Sequence, residues 1–257
     1  MKSLSDRQYI KYASHILLPQ MGEAGQLNLI KSRVLIIGIG GLGHSVAHQL
    51  AAAGVGEVML MDDDNVELSN LPRQLLFSEA DIGSSKVSVA KVKLAAVYGD
   101  TKIESIQRRF SNDLISEAWV SKADLIFDCT DNFDTRLKIN RLCINTKKPL
   151  ISAAISVSHG QLICLSPQHP QSGCYQCLYP ENTLVNQSCS SSGVMNSAVI
   201  SVASMQSLLG LNLLRNGDGA NSHLSGILHL FNADTLQWRQ VQMNRDPECD
   251  VCKTFKD

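Results

Sequence analysis

The sequence predicts an α/β fold on a doubly wound sheet, parallel through its N-terminal half and extended by antiparallel strands afterwards. Three observations carry this expectation. Short apolar runs alternate with helical stretches from residue 33 to residue 156. The first run, Val34 to Ile37, opens directly into Gly38, Gly40, Gly41 and Gly43, the spacing of a loop between a strand and a helix. After Gly160 that alternation stops, and apolar runs at hairpin spacing take over.

Residues 5–15 and 22–32 read as N-terminal helices, the first opened by a capping box of Ser5 with Gln8 and parted from the second by Pro19 and Gly22. The run 33–37 is apolar on both faces and suits a central strand covered on both sides. Its glycine loop leads into a helix through Ala53, which Gly54 and Gly56 close. A second strand follows at 57–62. The segment DDDNVELSNLPRQLLF is too polar and broken for a long helix and reads as a loop with a short helical turn lying over a nucleotide. Residues 84–97 form an amphipathic helix with Val87, Ala90, Leu94 and Val97 on one side.

A third strand at 102–107 and a helix near 113–121 precede a fourth strand, Leu125 to Phe127, with Asp128, Asp131 and Asn132 emerging at its end. A helix from Asp134 to Thr146 precedes strand five, PLISAAIS. A turn at His159-Gly160 reverses the chain into QLICLS. The stretch 181–193 reads as a flexible loop. Residues 194–214 form a long helix burying Met195, Val199, Val202, Leu209 and Leu213, and ILHLFN with LQWRQVQM makes a final hairpin. The whole is a Rossmann-like mixed sheet in a single domain over 1–257. Residues 1–160 form its nucleotide-binding half, and 161–257 its second half.

A chain of 257 residues that is 44% hydrophobic buries a substantial core. A formal net charge of −1 gives no reason to expect nucleic acid or an anionic membrane as partner. The N-terminus, MKSLSDRQYIKY, has no long apolar run. The helix at 194–214 carries Asn196, Gln206, Asn212 and serines, too polar for a membrane span. The protein is expected to be cytoplasmic. Eight cysteines in such a chain point to metal or thiol chemistry more than to disulfides.

Cys174 and Cys177 form one C-x-x-C pair, and Cys249 and Cys252 form another. Two such knuckles complete a tetrahedral Zn²⁺ site, a structural one because no ligand position stays open for water. The alternative is two independent redox or unpaired motifs. Cys189 stands alone in a polar loop, and both readings of it, a reactive thiol and an incidental surface thiol, stand. Cys129, Cys143 and Cys164 lie in apolar or helical contexts and read as core.

The glycine loop and the following helix aim free N–H groups at an anion, and Asp62, about 20 residues on, can take ribose hydroxyls. By itself this indicates a ribose-phosphate ligand, whose ordinary tenant is a nicotinamide or flavin dinucleotide. Asn70, Arg73, Lys86 and Asp131 supply what nucleotidyl transfer from a nucleoside triphosphate needs, namely cations on phosphates and a carboxylate for Mg²⁺. Each alone also reads as a solvated surface group. Asp63 and Asp64 read mainly as solvated or loop-capping.

The combination of GIGGLG, MDDDNVELSNLPRQLLF, GSSK, DCTDN and the paired C-x-x-C motifs resembles the bacterial ubiquitin-activating-like adenylyltransferases, from about residue 7 to Cys252. GCYQCLYPEN and LQWR look closest to the branch that serves the thiamin sulfur carrier. The resemblance implies ATP in the glycine loop, Mg²⁺ and Zn²⁺. Its implied partner is a small ubiquitin-like sulfur carrier whose C-terminal Gly-Gly carboxylate is adenylylated with release of pyrophosphate. It implies a homodimer, and a sulfur-transfer protein as a further partner. The second half of the chain becomes the carrier-binding half. By matching motif, Gly38, Gly40, Gly41, Gly43, Asp62, Asp64, Asn70, Gln74 and Asn132 hold the nucleotide. Arg73, Lys86 and Asp131 act on the triphosphate and metal. Cys189 falls where the thiamin branch forms an acyl-disulfide with its carrier. The molybdopterin-synthase small subunit is the alternative substrate.

One departure matters. The family's N-terminal Arg-Tyr-x-Arg-Gln becomes Lys11, Tyr12, Ala13, Ser14 and His15, so Ser14 stands where an arginine reaches the neighbouring subunit's triphosphate. Losing such an arginine costs about a thousandfold or more in phosphoryl-transfer examples. A weakly active carrier-binding homologue is therefore a further reading, with Lys11 or His15 as compensating cations.

Overall fold

The computed structural model describes residues 3–180, 193–216 and 224–253. Helices α1 (Asp6–Lys11), α2 (Ala13–Ile16) and α3 (Gly22–Lys31) precede β1 (Arg33–Ile37), α4 (Gly43–Ala52) and β2 (Glu57–Asp62). Two 3-10 turns, Leu68–Arg73 and Glu79–Asp81, lead to α5 (Lys86–Val97) and β3 (Lys102–Gln107). Then come α6 (Leu114–Lys122), β4 (Leu125–Asp128), α7 (Phe133–Asn145), β5 (Leu150–Ser156) and β6 (His159–Leu165). A short helix α8 (Tyr175–Leu178), the long α9 (Asn196–Arg215) and the hairpin β7 (Ile227–Asn232) and β8 (Gln237–Gln242) complete the described chain.

All these strands belong to one 8-stranded sheet in the order β3-β2-β1-β4-β5-β6-β7-β8. Pairing is parallel from β3 to β5 and antiparallel from β5 to β8, so the expected mixed sheet is present. Alternate residues of the central strands point to opposite layers. Val34, Ile36, Leu60 and Phe127 face α3, α4, α5 and α9, while Leu35, Ile37, Met59 and Ile126 face α6 and α7. Val34 to Ile37 of β1 are buried on both faces of the sheet, which is why they form a continuous apolar run.

The capping box is formed: Gln8 N–H donates to Ser5 Oγ at 3.3 Å, and Ser5 N–H donates to Gln8 Oε1 at 3.0 Å. The expected single helix 5–15 is broken at Tyr12, whose ring is buried against Gly54, where an added Cβ would lie 2.6 Å from Cζ. Val97 is 65% exposed instead of buried, because it is the last residue of α5 and the chain turns away after it. Met195 is 62% exposed: it is the N-cap of α9 with ψ 134, so its side chain leaves the helical face that Val199 and Val202 continue. Leu213 is only half-buried. The β5–β6 reversal falls at Val157 and Ser158, with Val157 at φ 54, and not at His159-Gly160. Gly160 is inside β6, bare because a Cβ there would lie 2.6 Å from Val202 of α9.

Helix α9 is long and apolar enough to cross a membrane by length and composition, yet Val202, Ala203 and Gln206 are fully buried against the sheet. It approaches closely through Gly210, where an added Cβ would lie 2.3 Å from Phe127 Cζ. Gly210→Ala is expected to destabilise the protein by about 1–3 kcal/mol through overpacking. Adding Phe127→Leu should restore part of that loss in urea unfolding, and strict additivity of the two changes would show that the residues do not compete for this space.

Candidate active site

A cleft of about 1060 Å³ opens beyond the carboxyl ends of β1, β2 and β4. This is where a doubly wound sheet reverses its strand order, between β1 and β4, and where such sheets bind ligands. The glycine loop forms its floor. Gly38 has φ +87, and a Cβ there would sit 2.8 Å from the Cys129 carbonyl oxygen; a Cβ on Gly43 would sit 1.8 Å from the Gly38 carbonyl oxygen. Strand and helix therefore join through a turn that admits no side chain at either position.

Asp62 closes β2 and is turned back onto this loop, accepting the Ile39 N–H and, at 2.8 Å, the Asp64 N–H. Burial pushes its carboxyl above the usual range, and the two N–H bonds oppose that shift. Lys86 is the first residue of α5 and only 4% exposed, with Nζ 2.7 Å from the exposed Asp64 carboxylate. Asn70 is buried, and its Nδ2 donates to Ser69 Oγ at 3.2 Å. Arg73 donates from Nη1 to the Ser69 carbonyl at 2.9 Å. Gln74 is 2% exposed, and its Oε1 has no partner among the described residues.

Asp131 and Asn132 lie exposed at the end of β4, where Asn132 caps α7 by accepting the Thr135 N–H at 3.0 Å. Beneath them Arg136 is buried beside Asp128, 3.6 Å away, and donates to Ser152 Oγ at 3.1 Å and the Ala153 carbonyl at 2.8 Å. The carboxylates that converge are those of Asp62, Asp63 and Asp64, within 4.8 Å of one another; Asp131 stands outside that cluster.

The fold thus brings Gly38, Gly40, Gly41, Asp62, Asp64, Asn70, Arg73, Gln74, Lys86, Asp131 and Asn132 to one cleft. Gly43 packs behind it, and Cys189 lies outside the described residues. Sequence reading missed Arg108 and Arg109, which line the same cleft just after β3; a basic pair following a strand was the available signal. Arg108 is ion-paired with Asp113, and Arg109 is exposed. On the N-terminal segment Ser14 is exposed, Lys11 is held by Asp100 at 2.6 Å, and His15 lies 3.1 Å from Gln26.

Away from the cleft, Cys174, Cys177, Cys249 and Cys252 gather their sulfurs within 4.8 Å. Their separations include 3.7 Å (Cys174–Cys249), 3.9 Å (Cys174–Cys177) and 3.4 Å (Cys177–Cys252). A tetrahedral ion with Zn–S bonds of about 2.3 Å spaces its sulfurs about 3.8 Å apart, so the cluster fits zinc. The N–H groups of Cys174 and Asp246 both reach Cys177 Sγ at 3.4 Å, which favours a thiolate. Cys129, Cys143 and Cys164 are buried as expected, and burial pushes the Cys164 thiol up to about 12.

The sequence model described as the ThiF family matches residues 12–251. The sulfur carrier protein ThiS adenylyltransferase of Escherichia coli (strain K12) is 39% identical over 249 residues, covering 97% of each chain. The molybdopterin-synthase adenylyltransferase of the same organism is 36% identical over 255 residues, covering 98% of this chain and 99% of its own. Among solved structures, E. coli MccB with ATP is similar at a TM-score of 0.76 and 27% identity, covering 89% of this chain and 69% of that one.

Purified protein is expected to carry one zinc per chain by native mass spectrometry, and Cys252→Ser to lose the metal and melt earlier. A metal-free wild type whose melting is indifferent to chelator would refute the zinc assignment. Asp62 supplies a second test. Because its folded pKa is raised above the ordinary 3.8, the stability linked to its proton is present below that value and lost as pH rises through the raised one. Asn keeps one acceptor oxygen for the two backbone N–H groups and carries no titrating proton, so the melting temperature of wild type relative to Asp62→Asn is expected to fall as pH rises from below 3.8 to neutral; a difference that does not change with pH would contradict the burial argument.

Proposed function

This chain belongs to the ThiF family and is an enzyme of the adenylyltransferase type, and from that premise we propose that it adenylylates the C-terminal Gly-Gly carboxylate of a small ubiquitin-like sulfur carrier of the thiamin pathway. The observation that carries the reading is the cleft itself. Glycine-loop backbone, a ribose-type carboxylate at Asp62 and two cations, Arg73 and Lys86, line one space at the sheet's reversal point. The dinucleotide oxidoreductase suggested by the glycine loop alone gives way to this reading.

In the proposed reaction a carrier carboxylate oxygen attacks the α-phosphorus of ATP, the bond to the β-phosphate oxygen breaks, and pyrophosphate leaves with the bonding electrons. Gly40 and Gly41 offer backbone to the phosphates, and Asp62 holds the ribose. Asn70, Arg73, Gln74 and Lys86 bind the triphosphate, and Lys86 exchanges its Asp64 partner for phosphate oxygens. Mg²⁺, held by Asp131, would neutralise charge on the leaving pyrophosphate. We assign residues 1–160 to ATP and 161–257 to the carrier and zinc, in one domain that acts in the cytosol as a homodimer. Cys189 is proposed as the carrier-linking thiol, and a sulfur-transfer protein as the later partner.

A second reading has specific support. The molybdopterin-synthase relative, at 36% identity, stands close to the thiamin-type relative at 39%, which favours keeping the molybdopterin-synthase small subunit as alternative substrate. Ser14 supports a third, a carrier binder with weak catalysis, because both candidate compensating groups, Lys11 and His15, are engaged within their own chain.

ATP–pyrophosphate exchange run side by side with the two carriers decides among these. Exchange is expected with the thiamin carrier; carrier binding without exchange would leave the scaffold reading standing instead. Lys86→Ala should slow exchange by about 10²–10³-fold, the scale of one lost electrostatic partner of the transition state. A Lys86→Ala enzyme within a few-fold of wild type would remove the lysine from the mechanism.

A further inference from the structure

The second residue of α4, His44, is 2% exposed and touches both walls of the cleft without lining it. Its Nδ1 lies 2.8 Å from the Gly40 carbonyl oxygen. The Leu75 N–H reaches its Nε2 at 3.1 Å, and the Ser45 hydroxyl lies 3.0 Å from the same nitrogen. A backbone N–H can only donate and a carbonyl can only accept. The ring must therefore be neutral, with its proton on Nδ1 and a lone pair on Nε2. Burial pushes its pKa below the usual imidazole range, in keeping with that state.

The two backbone groups belong to different parts of the site. Gly40 lies in the glycine loop. Leu75 follows directly on the segment that brings Asn70, Arg73 and Gln74 to the cleft. The Phe77 ring closes over the imidazole at 6.5 Å between centroids. The segment also runs close to the loop: a Cβ on Gly40 would lie 3.7 Å from Gln74 Nε2, and one on Gly41 would lie 3.8 Å from the Arg73 carbonyl oxygen.

We propose that His44 is a positioning residue that pins the Asn70–Gln74 segment to the glycine loop, so that phosphate-facing backbone and cation-bearing side chains hold one geometry before nucleotide arrives. The proposal rests on the adenylyltransferase reading for its consequence, since the pinned groups are those assigned to ATP. A glutamine can place an acceptor near the Nε2 position and keep the Leu75 bond. An alanine loses both side-chain contacts, leaving the Leu75 N–H without its acceptor and the Gly40 carbonyl with only the backbone N–H of residue 44, at 3.3 Å.

The test compares wild type, His44→Ala and His44→Gln. Calorimetric ATP binding, which needs no carrier, should weaken about 10–100-fold in His44→Ala, the scale seen when a group that orients a metal ligand is removed. His44→Gln should recover most of that loss. In the apo protein, nitrogen NMR should show a neutral His44 protonated at Nδ1, and the Leu75 amide should exchange faster in His44→Ala than in His44→Gln. If both variants bind ATP like wild type, or lose affinity equally while melting equally earlier, His44 is only a packed core residue and the proposal fails. If wild type binds no ATP, the adenylyltransferase reading fails instead, and tautomer and Leu75 exchange still judge the pin. A ring protonated at Nε2, or a Leu75 amide indifferent to the substitution, would overturn it.

Discussion

The closure of Gly43 onto Gly38 is the constraint on which the site depends. The 1.8 Å that a Cβ would leave to the Gly38 carbonyl means that the first residue of α4 packs on the backbone just past the end of β1, with no room for a side chain. Helix N-terminus, glycine loop and strand end then form one rigid corner. The other parts of the cleft are attached to that corner by short polar contacts. Asp62 accepts the Ile39 N–H, so the end of β2 is tied to the loop. Lys86 N–H donates to the Asp64 carbonyl at 3.0 Å, so the start of α5 is tied to the end of β2.

The far wall is organised by a buried charge pair. Asp128 accepts the Thr130 N–H at 3.0 Å and the Ser152 hydroxyl at 2.7 Å, with Arg136 filling the remaining space beside it. Removing one partner of such a pair leaves an uncompensated buried charge. Through the Thr130 N–H on Asp128 the network also holds the turn from which Asp131 and Asn132 emerge. Gln206 of α9 joins it by donating to the Asp128 and Ile151 carbonyls, each at 3.1 Å. Helix α9 thus braces the cleft from the second half of the chain.

The cysteine cluster does the same work for the C-terminal tail. Cys174 and Cys249 are 75 positions apart, and among the described residues the buried hydrophobic side chains packed with the cluster are Ile144 and Val251. So small an apolar patch buries little surface, and metal ligation is a far stronger clip than the packing around it.

Much of this was legible in the residues alone, because the signals are local. Unbroken apolar runs mark strands covered on both faces, glycine spacing marks a turn of fixed shape, and C-x-x-C marks a knuckle whatever surrounds it. These determined the sheet, the position of the cleft and the four-cysteine cluster. Only the tertiary structure decided which polar groups meet. His44 and Leu75 are 31 positions apart, Lys86 and Asp64 are 22 apart, and Lys11 and Asp100 are 89 apart. Nothing in local spacing marks His44 as a bridge, Gly160 as a seat for α9 instead of a turn, or Arg136 as a buried partner of Asp128. Such roles depend on which elements pack together, and packing is a property of the assembled layers and not of any one stretch of chain.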